Sequence, residues 1–346
     1  MKEIITPLLE WYDTNKRDLP WRKDTDPYHI WISEIMLQQT RIEAVISYYQ
    51  RFIKEVPNVI SLSQISDERL LKLWEGLGYY TRARNLKKAA HIIIEKYQGN
   101  FPSTYKELLS LPGIGEYTAS AIGSISFSLK EATVDGNVLR VYMRIQNCSD
   151  NIDELKTRKQ VRNSLNTIIP DRAGDFNQAL MELGEVICLP NAEPKCAHCP
   201  ISKYCKAYQK NTYKSIPVRN EKKQKKEEKY TILLFSYQNK IAIEKRKEGL
   251  LSHLFQFPNV EGHLSLKELK KYLQDQKIKY HHIEKEISYT HIFTHRKWNM
   301  VAYYVELTEE QDFHFVSLEE LEKKYPLPIA FQPFRKTLKE RFYETK

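Results

Sequence analysis

The 346-residue sequence predicts a multidomain protein in which an all-α part is followed by a smaller α/β domain. Apolar residues keep helical spacing up to about residue 187, and no period-2 strand pattern interrupts them. From Pro217 to Lys229 the chain is mostly charged, with nothing apolar after Val218. We therefore expect a helical domain over 1–215, an exposed basic linker over 216–229 and a second domain over 230–346.

Several helix boundaries in the first domain follow from capping patterns. Thr40 with Glu43 predicts a capping box before a helix. Ser66, followed by two acidic residues, predicts another helix start. A further helix is expected over 81–98, ending before Gly99.

The second domain combines strand-like and helix-like segments. The expected strands, rich in β-branched and aromatic residues, are Tyr230–Tyr237, Lys240–Lys245 and Trp298–Leu307. The expected helices are Leu266–Leu273 and Leu318–Lys324, the latter led by a capping box of Ser317 and Glu320.

Composition indicates which kind of partner the protein binds and in which compartment we expect it. The hydrophobic fraction of 41% is enough for packed cores, and 54 basic against 44 acidic side chains favour a polyanionic partner. The N-terminal residues lack the apolar core of a signal peptide, and no apolar run reaches the roughly 20 residues of a membrane span. We expect a cytoplasmic protein with no membrane partner.

Four of the five cysteines crowd into one short loop, in the pattern Cys188-x7-Cys196-x2-Cys199-x5-Cys205. Four thiolates in so short a segment can converge on one metal centre. Zinc sites built from four cysteines are also common, and the spacing alone leaves iron–sulfur and zinc equally open.

The segment Leu111–Gly115 reads Leu-Pro-Gly-Ile-Gly and is typical of a helix–hairpin–helix turn. Gly113 and Gly115 would allow a tight turn and bring backbone amides close to a phosphate. The same letters also occur at ordinary helix–helix turns.

The hairpin and the cysteine cluster, in this order, resemble the endonuclease III/MutY superfamily of DNA glycosylases. Bifunctional members of that superfamily carry a lysine two positions after the second glycine, where this chain has Tyr117. A phenol cannot form a Schiff base, so a monofunctional glycosylase is expected. Four segments are similar to the adenine-specific MutY family within it, and these are Leu19–Arg22, Trp31–Thr40, Trp74–Tyr80 and Val134–Val138.

That resemblance implies roles for four residues in catalysis. Glu34 would protonate the adenine, and an apolar setting would favour its protonated form. Asp135 would stabilise an oxocarbenium-like sugar, Asn137 would orient Asp135, and Tyr117 would lie beside the sugar. Without the resemblance, Glu34 would be read as a surface glutamate and Asp135 as a helix N-cap.

The resemblance also implies residues that hold the bases. The adenine pocket would consist of Leu19, Trp21, Arg22 and Gln178. The residues expected around the opposite base are Gln39, Thr40, Leu77 and Tyr79. The basic residues Arg82, Arg84, Lys87 and Lys88 could contact the DNA backbone or simply form a solvated helix face.

The second domain is similar to the Nudix-related module with which MutY enzymes recognise 8-oxoguanine. Gly249–Pro258 resembles its glycine-to-proline region, and Phe293-Thr294-His295 stands where the family has Phe-Ser-His. The glutamate-rich box of Nudix hydrolases is missing, so nucleotide hydrolysis is not expected. The resemblance implies a [4Fe–4S] cluster on the four cysteines, although the family's first gap is x6 where this chain has x7.

The expected function is monofunctional removal of adenine paired with 8-oxoguanine or guanine in double-stranded DNA, by a monomer acting in the cytoplasm of a bacterium at the nucleoid. A pyrimidine-mismatch glycosylase of the same superfamily is the alternative among enzymes. A lesion-binding protein without catalytic activity is the alternative outside them.

Overall fold

The computed structural model describes residues 1–221 and 224–343, which form two compact units. The first unit comprises Met1–Gln64 and Asn85–Glu221. The second comprises Ile65–Arg84 and the described residues of the range 222–346. Residues 65–84, which the sequence pattern groups with the helical domain, therefore belong to the second unit.

The described residues up to 221 form helices, turns and loops without a strand, as the sequence predicts. The helices are α1 (Ile5–Asn15), α2 (Pro27–Leu37), α3 (Ile42–Glu55), α4 (Val59–Gln64), α5 (Asp67–Leu73), α6 (Thr81–Tyr97), α7 (Tyr105–Leu109), α8 (Glu116–Phe127), α9 (Gly136–Gln146), α10 (Leu155–Asn166), α11 (Ala173–Val186) and α12 (Lys206–Gln209). Among the described residues, no helix is both long and apolar enough to cross a membrane.

Helix α2 runs through the interior of the first unit. Asp26 caps it by accepting a hydrogen bond from the Tyr28 amide at 2.8 Å, and Pro27 occupies its first position. The helix is apolar on all sides, and Ile30–Met36 are buried throughout. It packs against α3 and α8. An all-round apolar helix must be covered on every face, and this places the one carboxylate of its buried stretch away from bulk water.

The capping patterns had different outcomes. Ser66 does cap α5, since its hydroxyl accepts a hydrogen bond from the Arg69 amide at 3.2 Å. The box predicted for Thr40 and Glu43 is wrong, because α3 begins one residue later, after Arg41 as N-cap. Thr40 then lies outside the helix, and its hydroxyl donates to the Gln38 carbonyl at 3.4 Å.

The second unit contains a mixed sheet and three further helices. The strands are β1 (Lys226–Tyr237), β2 (Lys240–Lys245), β3 (Phe255–Gln256), β4 (Asn259–Glu261), β5 (Tyr280–Ile292), β6 (Arg296–Leu307) and β7 (His314–Val316). The helices are α13 (Leu266–Asp275), α14 (Leu318–Lys323) and α15 (Gln332–Tyr343). The capping box of Ser317 and Glu320 is present at the start of α14, as predicted.

The sheet order is β3-β2-β1-β6-β5, with β4 on β1 and β7 on β2. Strands β1 and β6 are parallel, and the other pairs are antiparallel. One face of the sheet packs against α13 through Leu269 and Leu273. The other packs against α14 and α15 through residues such as Leu321 and Phe334. This layered arrangement confirms the predicted α/β class of the second domain.

The structure differs from the predicted linker over 216–229 at both ends. Strand β1 begins at Lys226, because its first residues pair in parallel with β6 and Glu227 forms an ion pair with Lys297 at 2.9 Å. Before that, the Val218 carbonyl accepts a hydrogen bond from the Ile152 amide at 3.1 Å. Residues 222 and 223 lie outside the described part of the chain.

Candidate active site

A cavity of about 700 Å³ opens in the first unit between the ends of several helices. That volume is within the usual range of roughly 300–1,000 Å³ for ligand pockets. Ten of the predicted site residues line it, and they are Leu19, Trp21, Arg22, Glu34, Gln39, Thr40, Tyr117, Asp135, Asn137 and Gln178. Residues far apart in the sequence therefore converge on one cavity.

Glu34, on α2, is buried, with 6% of its surface exposed. Its Oε2 atom has no hydrogen-bond partner among the described residues. Burial raises the pKa of Glu34 to about 7, while the nearby Tyr117 hydroxyl acts in the opposite direction and the charge of Asp135 adds to the rise. A carboxyl group with this pKa is available as a proton donor near neutral pH.

Asp135 occupies the N-cap of α9 and lines the same cavity. Its Oδ1 accepts a hydrogen bond from the backbone amide of Val138 at 2.7 Å, and its Oδ2 accepts one from the side-chain Nδ2 of Asn137 at 2.9 Å. Burial raises the pKa of Asp135, and these two hydrogen bonds oppose that rise. The N-cap interpretation and a functional one are compatible here, since capping fixes the carboxylate at the cavity wall.

Asn137 is itself held by Arg140, one turn further along α9. The Arg140 guanidinium donates to Asn137 Oδ1 at 2.9 Å, to the Gly184 carbonyl at 2.7 Å and to the Cys188 carbonyl at 2.7 Å. These bonds connect the backbone of the cysteine loop to the amide that contacts Asp135. The orientation of Asp135 is thus fixed through two further side chains.

Tyr117 lines the same cavity from the first turn of α8. Its hydroxyl donates to Met181 Sδ at 3.4 Å. Burial, followed by the charges of Glu34 and Asp135, raises the pKa of Tyr117 well above its ordinary value. The phenol therefore stays neutral and can act as a hydrogen-bonding group beside the two carboxyls.

The sequence prediction missed Glu182, which the structure places in the cavity lining with 1% of its surface exposed. Arg22 donates to Glu182 Oε2 at 2.8 Å, and the Arg17 Nε donates to Oε1 at 2.5 Å. Burial acts to raise the pKa of Glu182, but the two guanidinium groups outweigh it and hold the pKa below its ordinary value. This ionised pair fixes Arg22 in the lining.

Helical spacing is the signal that could have found the missed residues. Gln178, which was predicted, lies on α11, and Met181, Glu182 and Glu185 follow it at three, four and seven positions. Side chains at these spacings share one face of a helix. All four line the cavity.

The four cysteines of the loop are partly buried and unpaired by disulfides. Cys188, Cys199 and Cys205 pack against the hydrophobic core of the first unit. Arg144 donates to Cys188 Sγ at 3.2 Å, a contact that suits a thiolate. Within the described part of the chain, no three His, Cys, Asp or Glu side chains are arranged to hold a single metal ion.

The predicted hairpin lies between α7 and α8. Gly113 has a φ of +80°, and a Cβ there would lie 2.7 Å from the Cβ of Asn85, so this position requires glycine. Gly115 has an ordinary φ of −91°, and a Cβ there would meet no atom of residues 1–221 or 224–343 within 4 Å. No contact among the described residues explains a glycine at that position.

The remaining predicted residues, Leu77, Tyr79 and Phe293-Thr294-His295, belong to the second unit. The tripeptide forms the turn between β5 and β6, closed by a hydrogen bond from the Phe293 amide to the Arg296 carbonyl at 2.8 Å. The Tyr79 hydroxyl is hydrogen-bonded to the Thr294 hydroxyl. Tyr79 is exposed over 46% of its surface. The structure thus brings together two residues that were predicted separately.

Comparison with known proteins identifies both domains. Residues 32–170 match the HhH-GPD superfamily of base excision DNA repair proteins, and residues 230–337 match the NUDIX domain. The chain is 44% identical over 258 residues to the adenine DNA glycosylase of Buchnera aphidicola subsp. Baizongia pistaciae, covering 72% of each protein. It is 37% identical to that of Buchnera aphidicola subsp. Schizaphis graminum, covering 88% of each.

The chain belongs to the adenine DNA glycosylase family. The Schizosaccharomyces pombe member is 30% identical, and the alignment covers 96% of the chain and 88% of that protein. Among solved structures, a thermostable thymine-DNA glycosylase is 33% identical with a TM-score of 0.56, covering 60% of this chain and 96% of its own. A trapped endonuclease III–DNA intermediate, 24% identical with a TM-score of 0.52 and covering 61% of this chain and 98% of its own, shares the fold.

Proposed function

We propose that this adenine DNA glycosylase hydrolyses the N-glycosidic bond of adenine paired with 8-oxoguanine, and less efficiently of adenine paired with guanine. The observation that carries the proposal is the pair of buried carboxyls, Glu34 and Asp135, on one cavity with a neutral phenol, Tyr117, beside them. Acid catalysis at a base and stabilisation of a sugar cation need such a pair.

In the proposed reaction, protonated Glu34 donates its proton to a ring nitrogen of adenine. The bond between that base and the sugar C1′ breaks, and its electron pair leaves with the base. Ionised Asp135, oriented by Asn137, stabilises the positive charge on the sugar. Water then adds to C1′, and its proton returns to the Glu34 carboxylate, so the reaction leaves an abasic site and free adenine.

The adenine must leave the duplex stack to reach this cavity, at a cost of a few kcal/mol. Leu19 and Trp21 supply apolar surface for a flipped base. Arg22, held by Glu182, and Gln178 supply polar groups for its edge. Gln39 and Thr40, which also line the cavity, are proposed to fill the space that the base vacates.

Recognition of the opposite base is proposed to lie with the second unit. Tyr79 presents an exposed ring, and its hydroxyl is bonded to Thr294 in the turn that also carries Phe293 and His295. A ring can stack on any base, while the exposed polar groups of the turn can distinguish an oxidised guanine from guanine. Gly113 and Gly115 are proposed to bring backbone amides to a DNA phosphate.

The decisive experiment is single-turnover release of adenine from a duplex with one adenine:8-oxoguanine pair, followed by alkaline cleavage. We expect strand scission only after alkali. The Glu34→Gln variant should lose excision by at least about a hundredfold while it still binds the duplex. A thymine:guanine duplex is the control for the pyrimidine-specific alternative, and excision of thymine in preference to adenine would contradict the proposal.

We also propose that the four cysteines hold a [4Fe–4S] cluster. Four thiols in one loop, with Arg144 against the Cys188 sulfur, provide a suitable donor set. Such a cluster would cross-link the loop that anchors Arg140. Purified protein should be yellow-brown, with about four iron and four sulfide per chain by chemical analysis. Zinc without sulfide would contradict this assignment.

A further inference from the structure

The guanidinium of Arg82, in the first turn of α6, is folded back onto the loop that carries Tyr79. Its Nη2 donates to the Leu77 carbonyl at 3.1 Å and to the Gly78 carbonyl at 3.2 Å. It also lies over the rings of Trp74, at 5.3 Å, and Tyr79, at 5.5 Å. These contacts engage both the edge and the face of the guanidinium.

The loop to which Arg82 is hydrogen-bonded has several residues with positive φ. Gly76 and Gly78 have φ values of +104° and +68°, and Tyr79 has a φ of +47° although it carries a side chain. A left-handed tyrosine is disfavoured and persists only where its surroundings hold it. Besides Arg82, the Trp74 indole contributes by donating to the Gly78 carbonyl at 3.1 Å.

Arg82 is also poorly placed to serve as a simple cationic contact for DNA phosphates. Arg82 is half-buried, and this burial lowers the pKa of its guanidinium to about 10. Lys88, on the same helix, is exposed. The basic residues of α6 therefore lie in at least two different environments, which the sequence alone did not distinguish.

We propose that Arg82 is a positioning residue, which sets the Tyr79 ring and hydroxyl against the base opposite the adenine and so determines discrimination between 8-oxoguanine and guanine. The inference rests on the proposed function of Tyr79 in reading that base. The Tyr79–Thr294 bond places the ring on the same unit as the β5–β6 turn, so an error in the loop would misplace both recognition elements relative to each other.

The test compares Arg82→Met with Lys88→Met, which removes the same charge from the same helix. Binding constants are measured for adenine:8-oxoguanine and adenine:guanine duplexes at several salt concentrations. We expect Arg82→Met to lower the ratio of the affinity for the adenine:8-oxoguanine duplex to that for the adenine:guanine duplex by about tenfold. This is the size of effect associated with losing hydrogen bonds from a charged donor. The dependence of binding on salt concentration should stay unchanged. Lys88→Met should leave the ratio as it is.

An unchanged ratio with a salt slope reduced by about 0.9 in Arg82→Met would make Arg82 a phosphate contact and overturn the inference. Arg82→Lys guards against misfolding, because it keeps the charge but lacks the planar fork and the stacking face. We expect it to recover only part of the ratio, and full recovery would also overturn the inference. Thermal melting curves of all variants report the integrity of the fold.

A double substitution separates this inference from the proposed function. If Arg82 acts through Tyr79, then Tyr79→Leu alone should lower the ratio and Arg82→Met should lower it little further. Additive losses would overturn the route through Tyr79. If Tyr79→Leu has no effect on the ratio, the proposed role of Tyr79 fails, and the inference fails with it. Absence of adenine release by the native chain would refute the activity instead, while the binding ratio would still report on Arg82.

Discussion

At the scale of single residues, the proposed reaction depends on how neighbouring groups set the protonation of Glu34 and Asp135. Burial raises the pKa of both carboxyls, but Asp135 accepts two hydrogen bonds that oppose the rise. Glu34 has an unpartnered Oε2 instead. Two carboxyls that share a cavity can therefore differ in protonation near neutral pH, one serving as acid and the other as anion.

The pH dependence of excision should reflect Glu34. Its raised pKa means that the protonated, active form is lost as the pH rises through about 7, so the single-turnover rate should fall on the alkaline side of that value. Tyr117 acts to lower this pKa, so Tyr117→Phe should move the alkaline limb to higher pH. Single-turnover rates measured from pH 5 to 9 test this. The Glu34→Gln variant is the control, because its residual rate should not fall on the alkaline side. A limb that stays in place or moves to lower pH would contradict it.

Candidate site residues that belong to a sequence motif could be predicted. Residues that hold those side chains in place through tertiary contacts were harder to predict. Glu34 and Asp135 lie in short segments whose resemblance to the family predicts them. Glu182 stands in no such motif. Its position in the cavity lining depends on ion pairs with Arg17 and Arg22, which precede it in the sequence by 165 and 160 residues. Only helical spacing from Gln178 pointed toward it. Supporting contacts of this kind follow from packing that a single sequence does not display.

At the scale of elements, the hairpin contains two glycines with different reasons for being there. Gly113 has a left-handed backbone and touches Asn85, whereas Gly115 has neither constraint. The fold therefore requires the first glycine of this motif, whereas the second is free of such a constraint and is the one that we propose approaches a DNA phosphate. Substitution by alanine can tell them apart.

We expect Gly113→Ala to destabilise the protein by at least about 1–2 kcal/mol, because a left-handed alanine is strained and its Cβ would overlap Asn85. This corresponds to a loss of several degrees in Tm. Gly115→Ala should keep the native Tm but weaken duplex binding, if its amide approaches a phosphate. Calorimetry and titration with an undamaged duplex measure the two effects. Equal losses of Tm in both variants would contradict the distinction.

The start of α3 shows why element boundaries were less predictable than elements. The letters of Thr40 and Glu43 fit a capping box, yet the Thr40 hydroxyl bonds to Gln38 and its side chain lines the cavity. Gln39, with a φ of +59°, turns the chain between α2 and α3. The geometry of this turn outweighs the local capping preference. At Ser66, Ser265 and Ser317, away from the cavity, the serine caps do form.

At the scale of the whole molecule, the chain contributes a segment of its first half to the second unit. Glu75 accepts hydrogen bonds from Gln332 at 2.7 Å and from Arg335 at 3.1 Å. Lys72 donates to the carbonyls of Leu321 at 3.3 Å and Tyr325 at 3.2 Å. The sequence pattern could not show this, because α5 and the start of α6 have helical patterns that look continuous with the helices before and after them.

A chain that ends at residue 221 should therefore lose more than the second domain. Without Leu321, Tyr325 and Arg335, helix α5 and the loop that carries Tyr79 lose the partners that hold them, so their amides should exchange hydrogen faster. Preference for 8-oxoguanine over guanine should fall in parallel, measured as the ratio of single-turnover rates. Amides of α11, whose packing lies in the first unit, serve as the control and should keep their protection. Native protection of residues 65–84 in the shortened chain would show that this segment is folded by the first unit alone.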